Sequence, residues 1–277
     1  MSTLRKISAA LAVSTALLFS GCGADATPAT GEDGSTLTTV KVGASPVPHA
    51  KILEFVKNEL AADAGINLEI VEFDDFVLPN EALASGEIDA NYFQHLPYLE
   101  DQIKEKGYAF DHGDGIHIEP YAAFSQKYDS FADVPDGATI AITNDAANQI
   151  RGLRVLEAEG QLKDVADDSN VLTLTAEQNP RGFKFAENQP EVIVQQLQDP
   201  AIDVAFVNGN FILTAGLNTD DAIATEAVEN NPNANLLVWR SDNTNDGVKK
   251  LDELLHSDKV VAFIKETWPS GDVIAGS

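Results

Sequence analysis

Three short stretches of the chain hold the residues with the clearest capacity for chemistry. The first is Asn91-Tyr92-Phe93-Gln94-His95-Leu96-Pro97-Tyr98. Aromatic faces beside an imidazole and amides suit a ligand that is mostly apolar and needs a few directed hydrogen bonds. The same rings would serve equally well as plain core. The second stretch is Asn144-Asp145-Ala146-Ala147-Asn148-Gln149-Ile150-Arg151. The planar fork of an arginine matches a carboxylate through two parallel hydrogen bonds, and free N–H groups at a helix start could add to the binding of an anion. A surface pair with Glu157 or Glu159 is the competing use of Arg151. The third, Val207-Asn208-Gly209-Asn210, offers an amide that both donates and accepts, although a plain Asn-Gly turn explains the dipeptide as well.

Metal chemistry is the rival. His112-Gly113-Asp114-Gly115-Ile116-His117-Ile118-Glu119, with His49 and His95 elsewhere, supplies nitrogen and oxygen donors suited to zinc. No two histidines stand four apart on a helix, so no metal site is assigned. Catalysis has less support still. There is no Gly-x-Ser-x-Gly elbow and no glycine-rich phosphate loop. The acidic pairs Asp74-Asp75, Asp167-Asp168 and Asp220-Asp221 are sequence neighbours, which point apart on extended chain. No catalytic residue and no cofactor is assigned.

The elements that must position these residues alternate. A strand from Lys41 to Ala44 is expected to run through the turn signal Ser45-Pro46-Val47-Pro48 into a helix reaching Ala62. Strands are expected over Leu68 to Phe73 and Ile88 to Phe93, with helices from Pro79 to Ser85 and from Pro97 to Lys106, stopped by Gly86 and Gly107. A second unit repeats the rhythm. Its strands run over Thr139 to Thr143, Val171 to Thr175 and Asp203 to Val207, and its helices over residues 146–159 and 190–197. This predicts an α/β protein of two lobes. The apolar runs Ile118 to Ser125 and Leu236 to Arg240 are expected to pair as a two-strand hinge. Each of the first two candidate stretches, and the third, falls where a strand ends and a helix begins, the place where open α/β sheets bind ligands.

Composition narrows the partners. The 277 residues include 18 basic and 44 acidic side chains, a formal net charge of −26, which repels nucleic acid. The single cysteine, Cys22, excludes an internal disulfide. Arg5 and Lys6, an apolar stretch from Ile7 to Phe19, and Ser20-Gly21 before Cys22 have the order of a secretory signal. This segment resembles the lipobox of bacterial lipoproteins, with Phe19 in place of the usual Leu. Residues 1–21 are therefore expected to be removed and Cys22 to carry acyl chains that anchor the protein to a membrane. Residues 22–39 read as the lipidated Cys and a flexible tether.

The run GASPVPHAKILE from Gly43 to Glu54, DFVLPNEAL from Asp75 to Leu83, and GEIDANYFQH from Gly86 to His95 together resemble the NlpA family of methionine-binding lipoproteins. Glu119-Pro120-Tyr121, Asn144-Asp145 through Arg151, and Asn208 continue the match in order. The resemblance implies a periplasmic-binding-protein fold, with residues 40–118 and 241–277 in lobe 1 and 119–240 in lobe 2, hinge strands at its ends. It implies an extracytoplasmic monomer, not an enzyme, that captures L-methionine and delivers it to the permease of an ABC importer and, through it, to the ATPase. Phe93, His95 and Tyr98 are then implied to form the thioether pocket, Arg151 to clamp the α-carboxylate with Asn148 nearby, and Asn208 to hold the amino-acid backbone. Tyr92 stands where many members have a small residue, and it joins the site only if its side chain faces the pocket. A zinc-binding importer lipoprotein, another amino acid and a methionyl peptide are the alternatives.

Overall fold

The computed structural model describes residues 36–276. The expected signal segment, Cys22 and most of the tether lie outside the described residues. Strand β1 (Thr38–Ala44) starts two residues before the expected body, because Thr38 and Thr39 already pair with Ile66 and Asn67 of β2 (Ile66–Glu72). Between them the chain is helical, with α1 (Lys51–Val56) flanked by wider turns at Pro46–Ala50 and Lys57–Ala61. Helix α2 (Leu78–Ser85), β3 (Ala90–His95), α3 (Leu96–Lys106) and β4 (Phe110–Ile118) follow. Gly107 ends α3 at a φ of 73°, a left-handed cap that glycine adopts without steric cost.

The second half adds β5 (Ala122–Phe124), β6 (Thr139–Thr143), α4 (Ala146–Ala158), β7 (Lys184–Asn188), α5 (Pro190–Gln196), β8 (Val204–Val207), α6 (Gly209–Thr214) and β9 (Ala224–Thr225). It closes with β10 (Asn235–Arg240), α7 (Asp246–Leu255), α8 (Asp258–Thr267) and β11 (Ile274–Ala275). Two sheets result. One has the order β11-β4-β10-β3-β1-β2, the other β7-β6-β8-β5-β9. Strands β1, β2 and β3 are mutually parallel in the first, and β6, β7 and β8 in the second. The fold is α/β with one lobe around each sheet.

Two expectations are corrected. Leu236 to Arg240 is not a hinge strand at the end of the second lobe. As β10 it lies inside the first sheet, antiparallel to both β3 and β4. Leu236, Leu237 and Val238 are buried, and a run apolar on both faces belongs in a sheet interior. The chain crosses between sheets at residues 119–121 and 226–234 instead. Val171 to Thr175 is not a strand either. The Asn170 side chain accepts from Leu172 N–H, and Thr173 Oγ1 accepts from Asn170 N–H, so local bonds compete with the sheet ladder. Leu172 is left 83% exposed, and β7 takes the edge beside β6.

Each lobe has its own core. In the first, Val40, Val42, Ile52 and Leu53 pack with Val248, Leu251, Val260 and Ile264 of α7 and α8, which brings the C-terminal helices back to the N-terminal sheet. In the second, Tyr121, Ile140, Ile142, Leu153 and Phe206 pack together. A third cluster joins the lobes: Phe76, Phe93 and Tyr98 meet Val207, Phe211 and Ile212. Among the described residues, no helix is long and apolar enough to cross a membrane.

Candidate functional site

Strands β3 and β8 end at the cleft, where His95 closes β3 and Asn208 follows β8, and Asn148 in the first turn of α4 stands opposite them. A cavity lies among them. Phe93, His95, Tyr98, Asn148, Arg151 and Asn208 all line it, so the structure brings together six of the positions singled out in the sequence. Tyr92 is not among them. It lies on the opposite side of β3, fully buried in the first lobe's core, with its hydroxyl on His117 Nδ1.

The aromatic part of the cavity is built on β3 and the start of α3. Tyr98 donates its hydroxyl to Phe76 O at 2.9 Å, which fixes the loop before α2 over the pocket. The rings of Phe76, Phe93 and Tyr98 then stand 5.9–6.1 Å apart, in tilted or edge arrangements. Phe76 also lies 5.3 Å from Phe211 of the other lobe.

The polar part centres on one amide oxygen. His95 caps α3, its Nδ1 accepting from Tyr98 N–H at 3.2 Å, so its proton sits on Nε2. That proton is donated across the cleft to Asn148 Oδ1 at 3.0 Å. Burial, then the nearby Arg151 charge, holds the His95 pKa down to about 3, so the ring is neutral. Asn148 Oδ1 also accepts from Arg151 Nη1 and from Asn208 Nδ2, each at 3.0 Å. Asp145 orients this amide. It caps α4 through Asn148 N–H at 2.8 Å and accepts from Asn148 Nδ2 at 2.9 Å, which also fixes the helix start at Ala146.

Arg151 is buried, and its partner is neither Glu157 nor Glu159. Its Nε and Nη2 grip the Glu226 carboxylate at 3.0 and 2.6 Å, and Nη2 also donates to Glu119 O at 2.9 Å. With Nη1 on Asn148, four of about five guanidinium N–H bonds are used. One Nη1 hydrogen is left for a ligand. The fork read from the sequence is thus occupied by a protein carboxylate, held below its ordinary pKa chiefly by the Arg151 charge against the opposing effect of burial. Asn208 is the N-cap residue of α6, not half of a hairpin turn, and its Oδ1 is buried without a partner among the described residues.

Sequence reasoning missed Glu226, Phe76, Glu119, Asn210 and Asn235 as cleft residues. Glu119 lies in the first crossing segment, buried, with His117 Nε2 at 2.8 Å and His49 Nε2 at 3.2 Å from its Oε1. Gly209 permits this placement, since a Cβ there would stand 2.5 Å from Glu119 Cβ. His49, His117 and Glu119 are the one group of metal-donor type that comes together among the described residues; His95 and exposed His112 stand apart from it. His117 Nε2 is hydrogen-bonded to Glu119 Oε1 at 2.8 Å and His49 Nε2 to Asn235 Oδ1 at 3.0 Å, so the ring nitrogens nearest the carboxyl already have partners within the protein. Two donors on a tetrahedral zinc, each about 2.1 Å from the ion, lie about 3.4 Å apart.

Comparison with known proteins bears on the whole chain. A family model described as NlpA lipoprotein matches residues 40–277. The methionine-binding lipoprotein MetQ of Bacillus subtilis is 37% identical over 237 residues, covering 83% of this chain and 85% of that protein. Among solved structures, a nutrient-binding protein from Burkholderia cenocepacia bound to methionine is 34% identical with a TM-score of 0.79, over 86% of this chain and 100% of that one. A periplasmic substrate-binding protein of an ABC transporter from Coxiella burnetii is 31% identical, with a TM-score of 0.78 over the same shares.

Proposed function

Because the chain belongs to the NlpA lipoprotein family, whose members are substrate-binding proteins and not enzymes, we propose that it captures free methionine between its lobes and hands it to an ABC importer. The observation that carries this reading is the composition of one interlobe cavity: three aromatic rings, one spare guanidinium hydrogen, one unpartnered amide oxygen and one buried carboxyl. Each matches a part of the ligand. A thioether packs favourably against aromatic rings, here Phe76, Phe93 and Tyr98. The α-carboxylate takes the free Nη1 hydrogen of Arg151, a charge-assisted bond. The ammonium, a donor only, meets Asn208 Oδ1 and Glu119. L-Methionine is the expected isomer.

Closure is part of the function. His95 on one lobe and Asn148 on the other bond only when the lobes meet, and the ligand touches groups from both, so it favours the closed state by its differential contacts. That closed shape is what a permease would recognise. The signal-like N-terminus supports anchoring on the extracytoplasmic face through acyl chains on Cys22.

Native mass spectrometry of the purified chain, before and after denaturing dialysis, tests the ligand. A co-purified mass equal to methionine, lost on dialysis and regained on adding L-methionine, is the expected result. A different bound amino acid would keep the transport role and replace the substrate. A bound metal ion without an organic ligand would contradict the reading.

A further inference from the structure

Behind the cleft wall lies a buried polar chain. Tyr92 OH meets His117 Nδ1, His117 Nε2 meets Glu119 Oε1, and His49 Nε2 reaches the same oxygen. Every element around Glu119 contributes a facing group. The Pro46–Ala50 turn brings His49, β3 Tyr92, β4 His117 and β10 Asn235, while α6 brings the Asn210 N–H and α4 brings Arg151 with Glu226 behind it. Both imidazoles are neutral, since burial lowers His49 to about 4 and His117 to about 3. His49 Nδ1 is buried without a partner among the described residues, so its proton is assigned to Nε2, which lies 3.0 Å from Asn235 Oδ1.

Glu119 consequently has no cation of its own. Arg151 is already matched by Glu226, and the remaining neighbours of Glu119 are neutral. Removal from water disfavours its ionised form, and its pKa is raised by burial above the ordinary glutamate value. A neutral imidazole carries its proton on either nitrogen, and a phenol both donates and accepts. The Tyr92–His117 pair can therefore face an ionised or a protonated carboxyl without rearranging its heavy atoms. A ligand ammonium would bring a positive charge beside Glu119.

We propose that methionine capture is coupled to loss of one proton from Glu119, which holds it in the empty cleft and releases it to water as the ammonium docks. This rests on the methionine reading above. His117, His49 and Tyr92 act as positioning residues that set the pH at which the exchange occurs. Because the bound state holds Glu119 ionised, binding tightens as pH rises and levels off above the empty-cleft value. On the acid side of that value, affinity falls about tenfold per pH unit.

Calorimetric titration of the purified full-length chain with L-methionine, across the pH range in which it stays folded and in buffers of different ionisation enthalpy, tests this. The heat is expected to vary with the buffer at the acid end, with a slope equal to release of about one proton per methionine bound, vanishing toward higher pH. Glu119→Gln should bind more weakly with heats independent of buffer. His117→Gln, which keeps the carboxyl, should move the pH midpoint. Methionine binding with buffer-independent heats throughout, or with proton uptake, would overturn the proposal and leave the methionine reading standing. A buffer dependence that persists in Glu119→Gln would also overturn it, by assigning the proton elsewhere. No binding at any pH would remove the methionine reading and this proposal with it.

Discussion

Glu226 Oε2 lies 2.6 Å from Arg151 Nη2, a largely buried ion pair between residues 75 positions apart in the chain. It ties α4 to the second crossing segment. Glu226 also accepts from Tyr121 N–H, at 3.3 Å, in the first crossing segment, while Arg151 donates to the Glu119 carbonyl there. The cation proposed to receive the ligand carboxylate is thus anchored on both connections between the lobes.

Removing this cation should cost more than binding. Arg151→Ala leaves the Glu226 carboxylate buried without its counter-ion, which typically destabilises by about 3–5 kcal/mol. Affinity for methionine should fall by a further 2–4 kcal/mol or so, as for a desolvated charge pair. Denaturant unfolding and calorimetry separate the two effects. Unchanged stability with lost binding would mean that Glu226 relaxes into water and the pair is not structural.

The third cleft corner is governed by backbone space. Gly209→Ala puts a Cβ 2.5 Å from Glu119 Cβ, so either α6 or the first crossing segment must move. Overpacking of this kind costs about 1–3 kcal/mol of stability. Methionine affinity should fall as well, because Asn208 and Glu119 separate. An alanine variant that binds normally would show that this close approach has no part in the site.

Phe76→Ala tests the aromatic pocket. The ring contacts Phe93 and Tyr98 on its own lobe and Phe211 on the other. Its loss should lower methionine affinity by about 1–2 kcal/mol through the sulfur–aromatic contact and the lost cover. Alanine should bind the variant and the wild type about equally weakly. Equal loss for both ligands would assign Phe76 to closure instead of side-chain recognition.

Acid should unfold the protein by a histidine mechanism. His49, His95 and His117 are buried and neutral, with folded pKa values lowered to about 4, 3 and 3. The unfolded chain protonates its histidines near pH 6.5, so between there and about pH 4 it binds up to three more protons than the native state at these positions. Their contribution is fully present above pH 6.5 and lost as pH falls, at a limiting slope of about 4 kcal/mol per pH unit. Glu119, raised in the fold, opposes part of this. Scanning calorimetry should show the unfolding temperature dropping steeply below pH 6, and a flat profile down to pH 4.5 would contradict neutral burial of these rings.

Local signals in the sequence reached the elements and the three strand-end stretches, because strand ends, caps and glycine stops are written within a few positions of each other, while the family resemblance picked out the six wall residues within them. Asp145 capping α4 and His95 capping α3 are cases of this kind. Long-range pairing was beyond them. Nothing near Arg151 names Glu226 as its partner, and nothing in Leu236 to Arg240 tells a crossing strand from one buried between β3 and β4. Tyr92 shows the same limit within one strand. Its neighbours Phe93 and His95 face the cleft while it faces the core, and because both sides of β3 are buried no polar–apolar alternation marks which side is which.

The most direct measurement is titration of methionine-freed, full-length protein with L-methionine, side by side with Asn208→Ala. The Asn208 side chain makes one hydrogen bond among the described residues, to Asn148, and presents its free Oδ1 to the cavity, so its loss should leave folding largely intact. The account predicts saturable one-to-one binding to the wild type and a loss of about 1–3 kcal/mol in the variant, the cost of an unanswered charged donor. Absence of methionine binding in a wild type that is folded would contradict the central claim.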